Sequence, residues 1–282
     1  MCGVAGIIDY RGKTNTVSAV GTMLRSFSYR GPDESGIYHS PAATIGNVRL
    51  SIIDLQTGQQ PLSDISGRYW IVFNGEIFNY IELREELEKK DVRLKTRSDT
   101  EVLVNLYAVY GKNCLSMLNG QFAFAIWDKQ KEELFLARDR VGIRPLFYSI
   151  ANGVFYFASE IKALFCNPEL KRELDPLNLS QIYTFWTALT PGTAFKDVFE
   201  LSPGHYMLSG RNGTKTEKFW ELNIGNYRAD LSLPEAIKRF DELFTNAVRI
   251  RLRADVEVAA YRAEELIRAL QLLILKISSQ VF

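Results

Sequence analysis

Short apolar runs alternate with amphipathic segments along the first 222 residues. Apolar and β-branched residues at every second position predict strands, and apolar residues at every third or fourth position predict helices. The predicted strands are 4–9, a pair within 43–54, 69–74 ending at Asn74-Gly75, 121–128, 133–139, a hairpin over 145–159 turning at Asn152-Gly153, and further β character at 201–210 and 218–222. The predicted helices are 16–29, 80–90 and 98–111, the last with a capping box of Ser98 and Glu101. Strands mixed with a few helices indicate an α+β fold.

The pattern changes after Leu222. Residues 231–255 predict one long amphipathic helix with a capping box of Ser232 and Glu235, and a strand is predicted at 255–261. We therefore divide the chain into a first domain at 1–210, a linker at 211–231, the start of a second, α/β domain at 232–261 and an atypical tail at 262–282.

Composition and charge exclude several classes of protein. Hydrophobic residues make up 46% of the 282 positions, and a net charge of +1 without a basic stripe argues against a nucleic-acid partner. Three cysteines, an odd number, argue against a disulfide framework and indicate a reducing, cytoplasmic location. The sequence contains neither an export signal nor an apolar run of about 20 residues. We therefore expect neither export nor a membrane-spanning segment. With two histidines and no metal-binding motif, we expect no metal site and no histidine-dependent hydrolase.

Cys2 follows the initiator methionine directly. Removal of Met1 would place a thiol and a free α-amine on one residue. Because an α-amine has a pKa of roughly 7.7–8.0, it can accept the thiol proton at neutral pH without a histidine. The alternative is a cysteine without a function near a terminus that frays.

Asn74 and Gly75 interrupt an apolar run in the sequence FNGEIFN. A side-chain amide beside an unhindered backbone N–H could stabilise a developing oxyanion. The alternative is a hairpin turn, which Asn-Gly pairs favour, although no matching strand follows closely.

Three charged residues complete a candidate pocket. Arg49 lies between apolar strand residues and could bind a carboxylate through two hydrogen bonds, unless it is a surface arginine on an edge strand. Glu76 and Asp99 could hold an ammonium group, although Asp99 also suits the first turn of a helix. Together with a thiol and two oxyanion donors, these charges fit an amino acid with an electrophilic side-chain carbonyl, and glutamine is the obvious candidate.

Seven segments carry a resemblance to a known family: MCGVAGI, RGPDESG, RLSIIDL, NGEIFN, SDTEV, GQFAFAIWD and ARDRVGIRPLFY. They closely resemble the class II glutamine amidotransferase domain of glutamine-hydrolysing asparagine synthetases, in order and without large gaps from Met1 to about Tyr261. The resemblance implies an αββα sandwich of the N-terminal-nucleophile hydrolase type, followed by the first helix of an incomplete α/β ATP-pyrophosphatase domain.

The resemblance also implies roles for individual residues. Cys2 would be the nucleophile, Asn74 and Gly75 would form the oxyanion hole, and Arg30 would shape the pocket. The remaining substrate-binding residues would be Arg49 for the α-carboxylate, Glu76 and Asp99 for the α-amine, and the backbone around Leu50 and Ile52. No cofactor is expected for glutamine hydrolysis, whereas ATP and Mg²⁺ would serve the amidation of aspartate in the intact family.

The tail departs from the family pattern. A phosphate loop of the type Ser-Gly-Gly-x-Asp-Ser-Ser should follow Tyr261, but RAEELIRAL stands there without a glycine. Permitted codons for 262–270, read from the third base, encode Ser-Gly-Gly-Ala-Asp-Ser-Ser-Ala. We therefore interpret 262–282 as an out-of-frame product, with a genuine amphipathic helix as the alternative, and the coding DNA would decide between them.

The sequence thus predicts a protein similar to asparagine synthetase that hydrolyses glutamine to glutamate and ammonia. Asparagine synthesis is not expected from this chain alone, so a synthetase domain is an expected partner, and a homodimer is compatible with the sequence. Two alternatives stay open: an amidotransferase for another carboxylate acceptor, and a non-catalytic remnant.

Overall fold

The computed structural model of the chain describes residues 1–12, 15–225 and 231–259. Contacts within the chain divide it into two compact units, Met1–Glu221 and Leu222–Phe282. In the second unit, a helix over Leu233–Arg251 begins with the predicted capping box of Ser232 and Glu235. The interpretation of 262–282 concerns residues that lie outside the described ranges.

Twelve strands of the first unit's described residues form two six-stranded antiparallel sheets. In chain order they are β1 (Gly3–Ile8), β2 (Glu34–His39), β3 (Ala43–Arg49), β4 (Leu62–Ser63), β5 (Tyr69–Ile77), β6 (Gly120–Asp128), β7 (Glu133–Arg138), β8 (Phe147–Ala151), β9 (Val154–Ala158), β10 (Val198–Glu200), β11 (His205–Gly210) and β12 (Gly213–Lys218). The first sheet has the order β10-β8-β9-β1-β3-β2, and the second has the order β12-β11-β7-β6-β5-β4.

The helices are α1 (Thr16–Ser26), α2 (Tyr80–Glu88), α3 (Asp99–Tyr110), α4 (Ile161–Leu164), α5 (Pro176–Phe185) and, in the second unit, α6 (Leu233–Arg251), with short 3₁₀ segments at Ser28–Arg30 and Gly111–Met117. In the parts of the chain that the structure describes, no helix has the length and apolar content needed to cross a membrane.

Three apolar clusters define the layers of the first unit. One cluster joins Val4 and Ile45 of the first sheet to Val72 and Ala125 of the second, so it fills the space between the sheets. Another packs the outer face of the first sheet against α1 and α4. The third packs the outer face of the second sheet against α2 and α3. The order helix, sheet, sheet, helix confirms the predicted αββα sandwich.

Strand β1 lies inside the first sheet, between β3 and β9. All six of its residues are buried. A chain terminus normally frays, but hydrogen bonding on both edges holds this one in place. The sheet therefore gives Cys2, the residue before β1, a fixed base.

Several sequence predictions were wrong in detail. The predicted pair of strands in 43–54 is one strand, β3, and its partner β2, which the patterns did not predict, begins at Glu34 after Gly31-Pro32-Asp33. Strand β5 does not end at Asn74-Gly75 but continues to Ile77. Ser98 caps α3, yet the Glu101 carboxylate accepts hydrogen bonds from the Lys95 and Thr96 amides instead of completing a capping box.

The predicted linker begins later in the chain than position 211. Residues Gly213–Lys218 form β12, which pairs with β11 along its whole length. The predicted β character at 218–222 is absent beyond Lys218, and the described residues 255–259 form no strand. The sheet thus continues close to Glu221, where the first unit ends.

Candidate active site

A cavity of about 140 Å³ opens beside the start of β1. This is several times the about 10–15 Å³ that a cavity needs to hold one water, so it has room for a small molecule. All eight predicted site residues line it: Cys2, Arg49, Leu50, Ile52, Asn74, Gly75, Glu76 and Asp99. Residues to which the sequence analysis assigned no role also line it, among them Gln60, Thr100 and Arg144, although Thr100 and Arg144 lie within the quoted segments SDTEV and ARDRVGIRPLFY.

Cys2 is held by the backbone of the neighbouring strand end. Its Sγ lies 3.5 Å from the Leu50 carbonyl oxygen, to which it donates, and 3.4 Å from the Leu50 amide nitrogen. Its own carbonyl accepts a hydrogen bond from Arg30 Nε at 2.9 Å. Arg30 thus contacts the Cys2 backbone directly, although it is not among the residues that line the cavity.

Strand β5 exposes part of one edge to the cavity because β4 has two residues and pairs only with Trp70 and Ile71. Beyond them, Gln60 Oε1 accepts from the Phe73 amide at 2.7 Å, and Asp99 Oδ2 accepts from the Ile77 amide at 3.0 Å. Successive outward amides of an antiparallel strand are two residues apart. The Gly75 N–H, midway between these two amides, therefore points to the same edge.

Asn74 and Gly75, next to each other in β5, are distinguished by a buried side-chain amide at Asn74 and a close backbone contact at Gly75. The Asn74 side chain is fully buried, and neither its Nδ2 nor its Oδ1 has a hydrogen-bond partner among the described residues. Since a buried amide without a partner is costly, it indicates a ligand position. Gly75 leaves no room for a side chain, because a Cβ there would lie 2.1 Å from the Gln121 carbonyl oxygen.

Arg49 is buried in β3, between β1 and β2, so the alternative of a surface arginine on an edge strand is wrong. Its Nη1 donates to Glu34 Oε2 at 3.0 Å, and its Nη2 donates to the carbonyls of Ile53 and Asp54 at 2.9 and 2.7 Å. These bonds use three of the five N–H donors of a guanidinium. Within the described contacts, two donors remain for a ligand in the cavity.

Two carboxylates and a second arginine also line the cavity. Asp99 is buried at the start of α3, and burial raises the pKa of its carboxyl to about 6, with the nearby charge of Glu76 acting in the same direction. Glu76 Oε1 lies 4.0 Å from Arg144 Nη2. Arg144 is buried, and its Nε has no partner in the described parts of the chain.

The thiol and the amino terminus have pKa values shifted in opposite directions. Burial raises the pKa of the Cys2 thiol, so the thiol, not the thiolate, is the resting form at neutral pH. Burial and the positive charges of Arg144 and Arg30 lower the pKa of the Met1 α-amine, although the charges of Cys2 and Asp33 oppose this. A terminal amine in this position is therefore available as a base near neutral pH.

Met1 itself lies at the mouth of the cavity. Its thioether sulfur accepts a hydrogen bond from Arg144 Nη1. Loss of Met1 would release this donor and expose the α-amine of Cys2 beside the same two arginines.

Comparison with known proteins shows the family of the chain. A family model described as the glutamine amidotransferase domain matches residues 1–220. Glutamine-hydrolysing asparagine synthetase 3 of Bacillus subtilis is 35% identical over 267 residues, covering 93% of this chain and 43% of that protein. Amidase chry2 of Gibberella zeae is 34% identical over 277 residues, covering 93% of this chain and 40% of that protein. The chain thus spans less than half the length of these relatives.

A solved structure shares the fold. Glutamine phosphoribosylpyrophosphate amidotransferase from B. subtilis, complexed with ADP and GMP, superposes with a TM-score of 0.58 at 26% identity, over 79% of this chain and 50% of that chain. The family match extends over nearly the whole of the first unit. This chain belongs to the glutamine amidotransferase domain family of enzymes, with the fold of the N-terminal-nucleophile hydrolases.

Proposed function

We propose that the first unit hydrolyses L-glutamine to glutamate and ammonia through a thioester on Cys2. The observation that carries this proposal is the Asn74 amide. It is buried without a partner among the described residues, and it lines the same cavity as the Cys2 thiol. A thiol nucleophile and an amide donor that line one small cavity are what the attack on a side-chain amide requires.

The reaction begins on the chain from which Met1 has been removed. The α-amine of Cys2 takes the thiol proton, and Sγ attacks the amide carbon of glutamine. The Asn74 side-chain amide and the Gly75 N–H donate to the oxygen that becomes negative, and losing one such donor costs about 10²–10³ in rate. The carbon–nitrogen bond then breaks, and the protonated α-amine returns its proton to the leaving nitrogen, which departs as ammonia.

The second half of the reaction uses the same groups. The α-amine removes a proton from a water molecule, which attacks the thioester carbon under the same two donors. The carbon–sulfur bond breaks, glutamate leaves and the proton returns to Sγ. All proton transfers are made by the α-amine and thiol of Cys2, and Asn74 and Gly75 only donate hydrogen bonds, which suits a chain with two histidines.

Glutamine is recognised through its charged end. The two remaining donors of Arg49 bind the α-carboxylate, and the carboxylates of Glu76 and Asp99 bind the α-ammonium. The backbone near Leu50 and Ile52 completes this end of the cavity, which they line. The cavity volume of about 140 Å³ is compatible with a small ligand.

The test uses the purified full chain. Intact mass establishes whether Met1 is removed, and glutamate and ammonia release are measured directly. We expect Cys2→Ala to abolish release and a diazoketone analogue of glutamine to label Cys2. Cys166→Ala is the matched control, because Cys166 is also partly buried but lies outside this cavity. Undiminished release by Cys2→Ala would refute the proposal, and retained Met1 without any release would favour a non-catalytic remnant.

We further propose that the ammonia serves an amidation carried out by the additional length that the relatives possess. Similarity to an asparagine synthetase favours aspartate as the acceptor, with ATP and Mg²⁺ used there, while similarity to amidase chry2 keeps another carboxylate open. Among the described residues, no group of three acidic, histidine or cysteine side chains is placed to hold a metal ion.

A further inference from the structure

Ser159 and Glu160 follow β9 directly. Ser159 contacts β1, the strand that follows the nucleophile Cys2. Ser159 forms two hydrogen bonds with Val4: its Oγ accepts from the Val4 amide at 2.9 Å, and its amide donates to the Val4 carbonyl at 2.8 Å. These bonds fix β1 two residues after Cys2. They leave the Cys2 backbone itself to be held by other groups.

Glu160 contributes to holding that backbone through Arg30. The Glu160 carboxylate accepts from Arg30 Nη1 at 3.1 Å, and Arg30 Nε donates to the Cys2 carbonyl at 2.9 Å. The side chains of the pair are 10% and 18% exposed, so water competes little with the ion pair. A partly buried ion pair of this kind keeps a long, flexible side chain in one orientation.

Glu160 is itself fixed by two neighbours outside the cavity. Tyr29 donates its hydroxyl to the carboxylate, and Lys162 Nζ lies 3.2 Å from it. Burial opposes ionisation, but hydrogen bonds from Tyr29, Lys162 and Arg30 outweigh it and lower the pKa of Glu160. The carboxylate is therefore charged at neutral pH and does not depend on Arg30 for its position.

The arrangement matters most after Met1 has gone. The peptide bond to Met1 then no longer restrains Cys2, and a terminal residue frays unless it is tied down. The Cys2 carbonyl is bonded to the same Cα as the amine, so anchoring the carbonyl limits where the amine and the thiol can point. Without Glu160, Arg30 Nη1 would lose this partner, and Nη2 already lacks one within the described residues.

We propose that Glu160 is a positioning residue for glutamine hydrolysis: it orients Arg30, whose guanidinium anchors the Cys2 carbonyl and so aims the amine and thiol at the Asn74-Gly75 donors. This inference rests on the proposed function. Glu160 touches neither substrate nor reacting atoms, and its effect travels through a single arginine.

The first experiment compares Glu160→Gln with two control variants in the full chain. Glu160→Gln removes the charge that holds Arg30, and we expect kcat to fall about tenfold or more while KM changes less than about twofold, since misplacing a reacting group by about 1 Å can cost 10²-fold. Lys162→Met and Tyr29→Phe each remove one other partner of the carboxylate and leave Arg30 bound. Both are expected to stay within about twofold of the parent chain.

Intact mass and titration of Cys2 with a diazoketone analogue of glutamine accompany every variant. They ensure that each rate is expressed per site with Met1 removed. A purely structural role would lower the thermal midpoint or the fraction of active sites and leave kcat per titrated site unchanged, and that outcome would overturn the inference.

A double-mutant cycle provides the second experiment and does not depend on the size of the first effect. Because Glu160 acts through Arg30, Glu160→Gln should change kcat by less than about twofold in an Arg30→Met background. If the fold-reductions in kcat of the two single variants multiply in the double variant, Glu160 acts by a route other than Arg30. A parent chain that hydrolyses glutamine with an unaffected Glu160→Gln variant refutes this inference alone, whereas an inactive parent chain refutes the proposed function.

Discussion

Two Asn-Gly pairs in this chain adopt different structures. Asn152-Gly153 joins β8 to β9, with φ angles of 51° and 73° at the two residues, the turn that the dipeptide favours. Asn74-Gly75 lies inside β5, paired with β6 on both sides of the dipeptide. The first pair is a connection, while the second puts a buried amide and an outward N–H at the edge of a cavity.

The difference shows that the strands available for pairing decide whether an Asn-Gly pair forms a turn or continues a strand. Asn152-Gly153 has a matching strand on each side, which closes a hairpin. Residues after Gly75 pair with β6, which begins only at Gly120, so no local strand competes. The glycines are also required for different reasons: positive φ at Gly153, and the close approach of Gln121 at Gly75.

Asparagine replacement should separate the two pairs most strongly. We expect Asn74→Ala to lower kcat for glutamine hydrolysis by about 10²–10³, because the amide donor to the oxyanion is lost. Asn152→Ala should leave kcat unchanged, as the hairpin lies outside the cavity. Steady-state kinetics on both variants measure this, and equal kcat values would contradict the assignment of Asn74.

Glycine replacement should cost stability at both pairs but lower the rate of glutamine hydrolysis only at Gly75. In Gly75→Ala the new methyl group meets backbone atoms of β6, so we expect a loss of about 1–3 kcal/mol and little remaining activity. In Gly153→Ala the methyl group meets open space, and the positive φ costs about 1–2 kcal/mol without affecting kcat. Urea unfolding with parallel activity assays measures both, and full activity in Gly75→Ala would contradict the close approach.

The pH dependence of kcat/KM should distinguish Asn74-Gly75 from Asn152-Gly153, because Asp99 lies beside the edge of β5. The pKa of the Asp99 carboxyl is about 6, so its anionic form is lost as the pH falls through that value, and kcat/KM should fall with it. At pH 8, Asp99→Asn should lower kcat/KM by about 10- to 100-fold, since a hydrogen bond to a charged group contributes about 1.5–3 kcal/mol.

The pH profile supplies the control for this prediction. The asparagine side chain can still accept from the Ile77 amide, which preserves the strand edge. In the parent chain, Asp99 and the α-amine of Cys2 both contribute ionisations to the acidic side of the kcat/KM profile. In Asp99→Asn only the ionisation of the α-amine should remain. An unchanged profile in Asp99→Asn would show that another group titrates near pH 6.

The smallest expected effect is at Arg144. Its positive charge is among the causes that lower the pKa of the Met1 α-amine, and we expect it to act in the same direction on the α-amine of Cys2 once Met1 is removed. Arg144→Met should therefore raise the pKa of the amine, shifting the acidic limb of kcat to higher pH while the plateau at high pH stays near that of the parent. Arg140→Met is a suitable control, since Arg140 is on the same loop and does not line the cavity. A shift to lower pH would contradict the electrostatic role.

Sequence patterns predicted most of the strands and helices, and the family motifs predicted the site residues that the cavity brings together. They did so because period-two and period-3.6 spacing reports which face of an element is buried. The patterns failed at β2, where turn residues begin a strand, and at β5, where an Asn-Gly pair continues one. In both cases pairing with a distant strand overrode the local preference.

The sequence by itself determined the identity of the reactive groups: a thiol next to the initiator methionine, an amide beside a glycine, and an arginine among apolar residues. Only the tertiary structure decided how they are held. The side chains of Gln60 and Asp99 accept hydrogen bonds from the Phe73 and Ile77 amides on either side of Gly75. Glu160 binds Arg30, which donates to the Cys2 carbonyl. These contacts join residues far apart in the chain, and spacing along a sequence carries no information about hydrogen bonds that form only when two sheets and their loops pack together.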